Sequence, residues 1–486
     1  MTFRMTRGRG TAAVGLLMVV LAAGACGIKD DLLEATDPDI IDPSAVQSPA
    51  GATAVRNGAL SRLRVATADG ESSWLFGGLL VDEYASSSTF VQNDETDQRT
   101  IQLNNSTVTS TLRMLYRVRT DVNQAIALLR QWKPKPDADM AEMYFARGFA
   151  EMQLASDFCN GIPLSDGTGA LPVFGKPLSV AEVFGVAVAS FDSALALVGD
   201  TTTASTKAAN LLIHRATRIA KARALLGLGI SNAAAAAALV TDIPTSFRYD
   251  VTASLNGGNN TLWDQPISQN RYIVGDSVQK NDRSIKVPNA IPFYSSGDRR
   301  VPAHFKLASN GKDTVKAQDG GTFVLEADSL FGQTSSVALT AGIDARLIEA
   351  EAALKAGDVV GMLGFLNALR ASPQQLTAAS PTATGSHPGW TTPVMAALVD
   401  PGTQRGREDL LFREKAFWTF SRGQRLGDLR RLIRDYGRKP DGSDTGGYPI
   451  GPHYKGGVFG PDLNLPVTTA EQIGNPNFST CTDRKA

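Results

Sequence analysis

Histidine and cysteine are scarce in this chain, with 4 histidines and 3 cysteines among 486 residues. The histidines show no His-x-x-x-His spacing, and the cysteines show no Cys-x-x-Cys spacing. Protein zinc sites commonly draw their ligands from such closely spaced residues. Because His214, His304, His387 and His453 are isolated along the chain, the sequence predicts no metal site.

Other signatures of chemistry are also missing. The chain contains no Gly-x-x-x-x-Gly-Lys loop that would hold a phosphate and no Gly-x-Ser-x-Gly turn that would carry a nucleophilic serine. It also has no excess charge, because lysine plus arginine and aspartate plus glutamate both number 48. A nucleic-acid-binding protein normally has a basic excess. We therefore expect no nucleic-acid partner, no cofactor and no enzymatic activity.

The first 25 residues have the pattern of a secretory signal. Three arginines (Arg4, Arg7 and Arg9) precede an apolar run from Thr11 to Ala25, which is short for a membrane-spanning helix. The run ends Gly24-Ala25-Cys26 and resembles a lipobox, in which the cysteine is acylated. We predict a lipoprotein signal peptide at 1–25 and a tether at 26–50. The alternative is ordinary cleavage that leaves Cys26 as an incidental thiol.

No other hydrophobic stretch is expected to span a membrane, so the lipid would be the only anchor. Two cysteines, Cys159 and Cys481, remain beyond Cys26. An exported chain lies in an oxidising compartment, and an even remainder permits one disulfide. Two separate buried thiols are the alternative.

Two helical blocks are predicted, at about 51–240 and 339–436. In Leu112–Arg130 apolar residues recur at steps of three and four, which is typical of an amphipathic helix. The segment Met140–Phe158 interleaves small and large residues, as helix pairs of the tetratricopeptide type do. Further helices are expected at Val180–Leu197, Thr206–Leu228 and Asn232–Val240.

The segments 241–338 and 437–486 have a different composition. Both are rich in glycine and proline, which break long helices, and short strands are expected at Arg271–Val274 and Thr322–Leu325. Long loops in a compact protein are more often functional than idle. We therefore expect the ligand site on this loop-rich side.

Seven segments in chain order are similar to motifs of the SusD/RagB family. They are Gly78–Tyr84, Arg147–Ala150 with Asn160–Leu164, Gly297–Arg300 (with Arg299 where the family has proline), Glu349–Ala352, Leu366–Arg370, Arg413-Glu414 with Gly423–Arg431, and Leu465–Val467 with Glu471 and Asn475–Asn477. The resemblance implies a single, mainly α, SusD-like domain at 51–486. Tetratricopeptide-type helix pairs would form one side, and a loop-rich irregular region with a few short strands the other.

The resemblance also implies a role. Such a lipoprotein faces the cell exterior on the outer membrane, binds an oligosaccharide or peptide nutrient, and delivers it to a SusC-like TonB-dependent importer without catalysis. One alternative is a tetratricopeptide scaffold lipoprotein for envelope assembly. The other is a surface glycoside hydrolase, whose carboxylates would come from Asp82, Glu83, Asp94, Glu95 and Asp97.

Ligand contacts are expected among aromatic and amide side chains of the loop zones, because sugar rings stack their C–H faces on aromatic rings. The candidates are Phe90, Asn93, Trp263, Tyr272, Phe293 and Tyr294, and Trp390 is a further one. At least one of Trp263, Tyr272, Phe293 and Tyr294 is predicted to contact ligand. Trp74, Trp132 and Trp418 lie on helical patterns and are predicted to be core residues. The Gly423–Arg431 helix is interpreted as structural, with Asp428 able to pair with Arg425 or with Arg430 and Arg431.

Overall fold

Helices account for most of the regular structure in the computed structural model. The model describes residues 46–68, 72–169, 171–198, 201, 207–372 and 394–486. The predicted signal peptide, Cys26 and Trp390 lie outside the described residues. The helices are α1 Pro49–Ala68, α2 Ser73–Leu80, α3 Val91–Asp97, α4 Ser106–Trp132, α5 Asp137–Asp157, α6 Val180–Val198, α7 Lys207–Leu228, α8 Ala233–Ala238, α9 Thr261–Trp263, α10 Gly342–Ala356, α11 Val359–Arg370, α12 Gln404–Trp418, α13 Arg425–Tyr436 and α14 Thr469–Gly474.

The strands are short and form two-stranded antiparallel pairs. They are β1 Tyr84–Ser86, β2 Ile162–Pro163, β3 Pro177–Leu178, β4 Arg248–Val251, β5 Tyr272–Val274, β6 Val278–Gln279, β7 Ile285–Lys286, β8 His304–Phe305, β9 Leu325–Glu326 and β10 Val337–Ala341. The pairs are β1–β5, β2–β3, β4–β10, β6–β7 and β8–β9. The predicted strand at Arg271–Val274 is confirmed as β5. The one at Thr322–Leu325 is confirmed in part, because Leu325 begins β9 and Phe323 forms an antiparallel bridge with Lys316, whereas Thr322 lies in a bend.

The longer helices pack on one another largely in chain order. Helix α1 packs on α4, α4 on α5, α5 on α6, α6 on α7, α7 on α8, α8 on α10 and α10 on α11. Small residues set the close spacing. A Cβ placed on Gly148 of α5 would lie 2.7 Å from the Phe191 ring of α6, and one on Gly227 of α7 would lie 2.4 Å from Phe184. The predicted mainly α fold with close helix pairs is therefore confirmed.

Helix α6 corrects one expectation about the membrane. By length and composition alone, Val180–Val198 is long and apolar enough to cross a membrane, although no stretch beyond the signal was expected to be. In the structure, Val183, Ala187 and Phe191 of this helix are fully buried, and the helix packs between α5 and α7. The apolar residues of α6 therefore pack into the interior of the helix array.

Buried ion pairs join α10, α12 and α13. Glu351 of α10 pairs with Arg431 of α13 and, at 3.0 Å, with Lys415 of α12. Asp428 pairs with Lys415 at 2.7 Å and with Arg431 at 3.2 Å, so its partner within the helix is Arg431 and not Arg425. Although burial opposes it, Arg431 and Lys415 lower the pKa of Glu351 to about 2. These ion pairs give α13 the structural role that the sequence predicted for the Gly423–Arg431 helix.

A turn from the loop-rich region is attached to the same framework. Arg300 donates to both carboxylate oxygens of Glu414 at 2.7 and 3.0 Å and also pairs with Asp298 at 2.6 Å. The side chains of Arg300 and Glu414 are each only 2% exposed. Two segments that resemble family motifs therefore bind each other.

The C-terminal tail is tied to the end of α5. Cys159 and Cys481 form a disulfide with a Cα–Cα distance of 6.0 Å, within the usual range for such bonds. Backbone hydrogen bonds lie beside it, because Cys159 N donates to Leu465 O at 3.0 Å and Thr482 N donates to Asn160 O at 2.8 Å. Of the two alternatives that the sequence left open, the structure has the disulfide.

Candidate functional site

The β1–β5 pair presents a loop of the N-terminal half beside the loop-rich region. Ser86 lies opposite Tyr272 in the register, and the next bond of the ladder runs from Ser87 N to Arg271 O at 3.0 Å. The chain then turns through Ser88 and Thr89 to Phe90, and α3 begins at Val91. Phe90 and Arg271 therefore emerge at the same end of this two-stranded sheet.

Phe90 and Arg271 form an exposed platform that we call the Phe90 surface, together with Val91, Gln265 and Gln318. The Phe90 side chain is 47% exposed, and the Arg271 guanidinium carbon lies 5.2 Å from the centre of its ring. Arg271 Nη1 donates to Gln265 Oε1 at 3.1 Å, whereas its buried Nε has no hydrogen-bond partner among the residues that the structure describes. An aromatic face beside guanidinium and amide groups is suited to a sugar, whose rings stack and whose hydroxyls accept hydrogen bonds.

Hydrogen bonds from other segments of the chain hold the turn that carries Phe90. Gln318 Oε1 accepts hydrogen bonds from Ser88 Oγ at 3.0 Å and from Thr89 N at 3.4 Å. Lys455 of the C-terminal tail donates to Ser88 O at 2.9 Å and to Asp94 Oδ1 at 2.7 Å. Two distant segments thus fix this turn, so the ring is presented by a preformed support.

Asn93 and Tyr272 support the surface and do not form part of it. Asn93 Nδ2 donates to the Tyr272 hydroxyl at 2.8 Å, and the two residues are only 3% and 2% exposed. This bond joins α3 to β5 directly beneath the Phe90 turn. Neither side chain is therefore presented to a ligand in this structure, and their predicted ligand contact stays a prediction.

The other aromatic candidates also face the interior. Phe293 is fully buried, with its ring edge-on to Phe417 at 5.1 Å and to Phe420 at 4.8 Å. Tyr294 is half-buried and packs edge-on against Phe305 at 5.3 Å. Trp263 is half-buried against the main core. Phe293 is thus removed from the ligand candidates, and Phe90 is the predicted residue with the most open ring.

The acidic residues that a hydrolase could use as its carboxylates include three that are buried in this fold. Asp97 Oδ2 accepts a hydrogen bond from Ser86 N at 2.7 Å and lies 3.2 Å from His453 Nε2. Burial raises the pKa of Asp82 to about 7 and that of Glu83 to about 8, while nearby Arg425 opposes both shifts. Asp82, Glu83 and Asp97 are each 2% exposed or less. Asp82 and Glu83 are buried where the chain passes from α2 to β1, and Asp97 is buried at the end of α3.

Several solved structures have a fold similar to that of this chain. A SusD/RagB family protein from Bacteroides thetaiotaomicron matches with a TM-score of 0.60 and 10% identity, covering 88% of this chain and 94% of its own. A SusD superfamily protein from Bacteroides fragilis matches with a TM-score of 0.58 and 16% identity, covering 89% of this chain and 99% of its own. This chain has the SusD-like fold.

A third structure carries a functional description. A SusD-like carbohydrate binding protein from Bacteroides vulgatus matches with a TM-score of 0.53 and 14% identity, covering 89% of this chain and 97% of its own. No protein-family model and no curated protein matches the sequence. The three-dimensional likeness, over about nine tenths of the chain, is therefore what places it among SusD-like folds.

Two recesses in the described part of this SusD-like chain are small. One lies between β5 and the β6–β7 hairpin, is lined by Ile273, Phe305 and Tyr454, and has a volume of about 20 Å³. Another, of about 190 Å³, is lined by Phe412 and Arg425. Pockets that enclose a drug-sized ligand usually measure about 300–1,000 Å³. An oligomeric ligand is therefore better accommodated on the open Phe90 surface than within either recess.

Phe90 is a ligand candidate from the sequence alone, whereas its neighbours on the Phe90 surface are not. Arg271, Gln265 and Gln318 lie far from Phe90 along the chain and reach it only through the β1–β5 pairing and the loop at 318. One signal was present in the sequence, since Arg271 is the first residue of a predicted strand. Its partner strand, Tyr84–Ser86, is too short to show an alternating pattern.

Proposed function

We propose that this protein is a non-catalytic lipoprotein on the outer surface of the outer membrane. It binds an oligosaccharide, or alternatively a peptide, and delivers it to a SusC-like TonB-dependent importer. The SusD-like fold supports this role, together with the carbohydrate-binding description of one structural neighbour. Acylation of Cys26 supplies the membrane anchor.

The exposed Phe90 ring beside Arg271 is the observation that carries the binding proposal. The ring is open, its turn is held by Gln318 and Lys455, and the Arg271 guanidinium carbon lies 5.2 Å from the ring centre. Stacking aromatics dominate binding energies because they bury large apolar area with little loss of rotamer freedom. A glycan is favoured over a peptide, because an open ring beside polar donors matches alternating C–H faces and hydroxyls.

A binding screen tests the proposal. The purified protein is titrated against oligosaccharides of different backbones and against peptides of matched length, with intrinsic fluorescence as the readout. We expect saturable binding to one oligosaccharide class. Saturable binding to peptides alone would replace the glycan with a peptide ligand, and no binding to either class would favour the scaffold alternative.

The non-catalytic assignment rests on the acidic groups. A glycoside hydrolase needs two carboxyl groups flanking the bond to be cleaved. Near the Phe90 surface, Asp94 is paired with Lys455, and Asp97 is buried against Ser86 and His453. Prolonged incubation with each bound oligosaccharide should leave its length unchanged in chromatography, and any shortening that follows enzyme concentration would contradict the assignment.

A partnership with an importer has its own test. The gene for the neighbouring outer-membrane barrel is expressed with this chain, and the pair is purified in detergent through a tag on the barrel. Co-purification in a one-to-one ratio is the expected result. Recovery of the barrel without this chain would remove the delivery step from the proposal and leave the binding step standing.

A further inference from the structure

Three potential metal ligands meet on the β8–β9 hairpin. His304 in β8 lies opposite Glu326 in β9, and Asp328 follows two residues later. His304 Nε2 lies 3.8 Å from Glu326 Oε1 and 3.9 Å from Asp328 Oδ1. One ligand atom from each residue lies within 4.8 Å of the other two.

The imidazole ring is oriented by the backbone. His304 Nδ1 lies 3.3 Å from Pro302 O, and a carbonyl oxygen can only accept, so Nδ1 carries the proton in the neutral ring. The lone pair of Nε2 then faces two carboxylate oxygens. Three electron-pair donors this close repel one another, and either a cation between them or a proton on Nε2 would relieve the repulsion. Metal-binding histidines commonly donate their second ring nitrogen to a backbone carbonyl in this way.

The carboxylates are also held in position. Lys306 Nζ donates to Glu326 Oε2 at 2.9 Å and is fixed by Ile267 O at 2.8 Å and Asn270 Oδ1 at 3.2 Å. It therefore occupies the oxygen that faces away from His304 and leaves Oε1 for the cluster. The side chains of Glu326 and Asp328 are 5% and 8% exposed, while that of His304 is 39% exposed. The cluster is thus preformed by the interior and reachable from solvent.

We propose that His304, Glu326 and Asp328 bind one divalent transition-metal ion, with zinc as the best-suited species. One imidazole and two carboxylates are common zinc ligands, with bonds of about 2.0–2.2 Å. Tetrahedral bonds of that length would place the donors about 3.4 Å apart, whereas the ligand atoms lie within 4.8 Å of one another, so the side chains need to close by a few tenths of an ångström up to about 1.4 Å. The fourth position is open towards solvent and would take water.

Zinc binding by the purified, untagged protein tests this proposal. Titration calorimetry with ZnCl2 should show one site per chain, and Co²⁺ in its place should give visible absorption bands of a four-coordinate ion. His304→Ala and the nearly isosteric Asp328→Asn should each weaken Zn²⁺ binding at least 10-fold. His214→Ala, at a half-buried histidine on α7, is the matched control and should bind like the parent.

Folding is followed separately by far-UV circular dichroism, so that loss of structure is not mistaken for loss of a ligand. Zinc should raise the melting temperature of the parent and of His214→Ala, because an ion that binds only the folded state stabilises it. It should leave the melting temperature of Asp328→Asn unchanged. If the parent binds no Zn²⁺ saturably, or if folded Asp328→Asn and His304→Ala bind it as tightly as the parent, the cluster is held by a protonated histidine and the proposal is wrong.

Discussion

Asp82 makes the stability of this fold depend on pH in a direction that can be measured. The carboxyl is fully buried between α2 and β1, where Oδ2 accepts a hydrogen bond from Ile291 N at 2.6 Å and Oδ1 has no partner. Burial raises its pKa from 3.8 to about 7, against the opposing effect of Arg425. From about pH 4 to pH 7 the folded chain therefore holds a proton that the unfolded chain has released.

The sign and size of the effect follow from this difference. Because the folded state binds the extra proton, the free energy of unfolding falls as pH rises, by up to about 1.4 kcal/mol per pH unit for one group. Between pH 5 and pH 7 the contribution of Asp82 amounts to roughly 2 kcal/mol, because the slope halves as pH reaches the folded pKa. Glu83, whose pKa burial raises to about 8, adds a loss in the same direction that continues to about pH 8.

The variant Asp82→Asn removes one titrating group at small structural cost. Residue 82 has a φ of 65°, a left-handed conformation that asparagine tolerates well, and the amide oxygen can still accept from Ile291 N. Urea unfolding is followed by circular dichroism at pH 5, 6, 7 and 8. The parent should lose stability as pH rises, and the variant should lose roughly 2 kcal/mol less between pH 5 and pH 7.

The control is Asp313→Asn on an exposed loop, which should follow the parent at every pH. Parallel curves for the parent and Asp82→Asn would show that the buried carboxyl does not titrate in this range. A parent that becomes more stable from pH 5 to pH 7 would refute the reasoning directly.

Three further predictions concern the anchor, the helix array and the tail. Cys26→Ser should move the protein from the membrane to the soluble fraction, and unchanged membrane partition would exclude acylation at that residue. Gly148→Ala should lower the free energy of unfolding by about 1–3 kcal/mol, because its Cβ would lie 2.7 Å from a ring of α6. At Gly185 of α6 an added Cβ would have no atom of the described residues within 4 Å, so Gly185→Ala should be neutral or stabilising. Equal effects of the two substitutions on stability would contradict close helix packing. Intact mass of the unreduced protein should show the loss of two hydrogens for the bond between Cys159 and Cys481, whereas two alkylatable thiols would exclude it.

The helices could be predicted because their signal is local. The apolar spacing of Leu112–Arg130 predicts a helix, and α4 contains this segment. Gly357, which follows Lys355-Ala356, ends α10 in a left-handed conformation, which is usual for a glycine at the end of a helix. The interleaved small residues of Met140–Phe158 likewise predict close packing, which Gly148 provides. Such patterns repeat over several turns, so one ambiguous residue does not change the prediction.

The site could be predicted only in part, because loop residues are placed by distant partners. Phe293 was expected at the surface since 241–338 has little helix, but Phe417 and Phe420, just inside and beyond the end of α12, bury it. Tyr272 is buried for a similar reason, as α3 covers it through Asn93. His304 and Glu326 are far apart in sequence and meet only through the β8–β9 register, which no local pattern reveals.

The most direct test of the proposed function is the affinity of an oligosaccharide identified in the screen for four proteins: the parent, Phe90→Ala, Arg271→Ala and Phe174→Ala. Phe174 is the matched control, because it is an exposed phenylalanine (38%) on the loop between β2 and β3. Loss of the Phe90 ring should cost about 1–3 kcal/mol of binding free energy. Arg271→Ala should also weaken binding, and Phe174→Ala should not. Parent-like affinity of Phe90→Ala and Arg271→Ala, with unchanged thermal stability of both, would contradict ligand binding at the Phe90 surface.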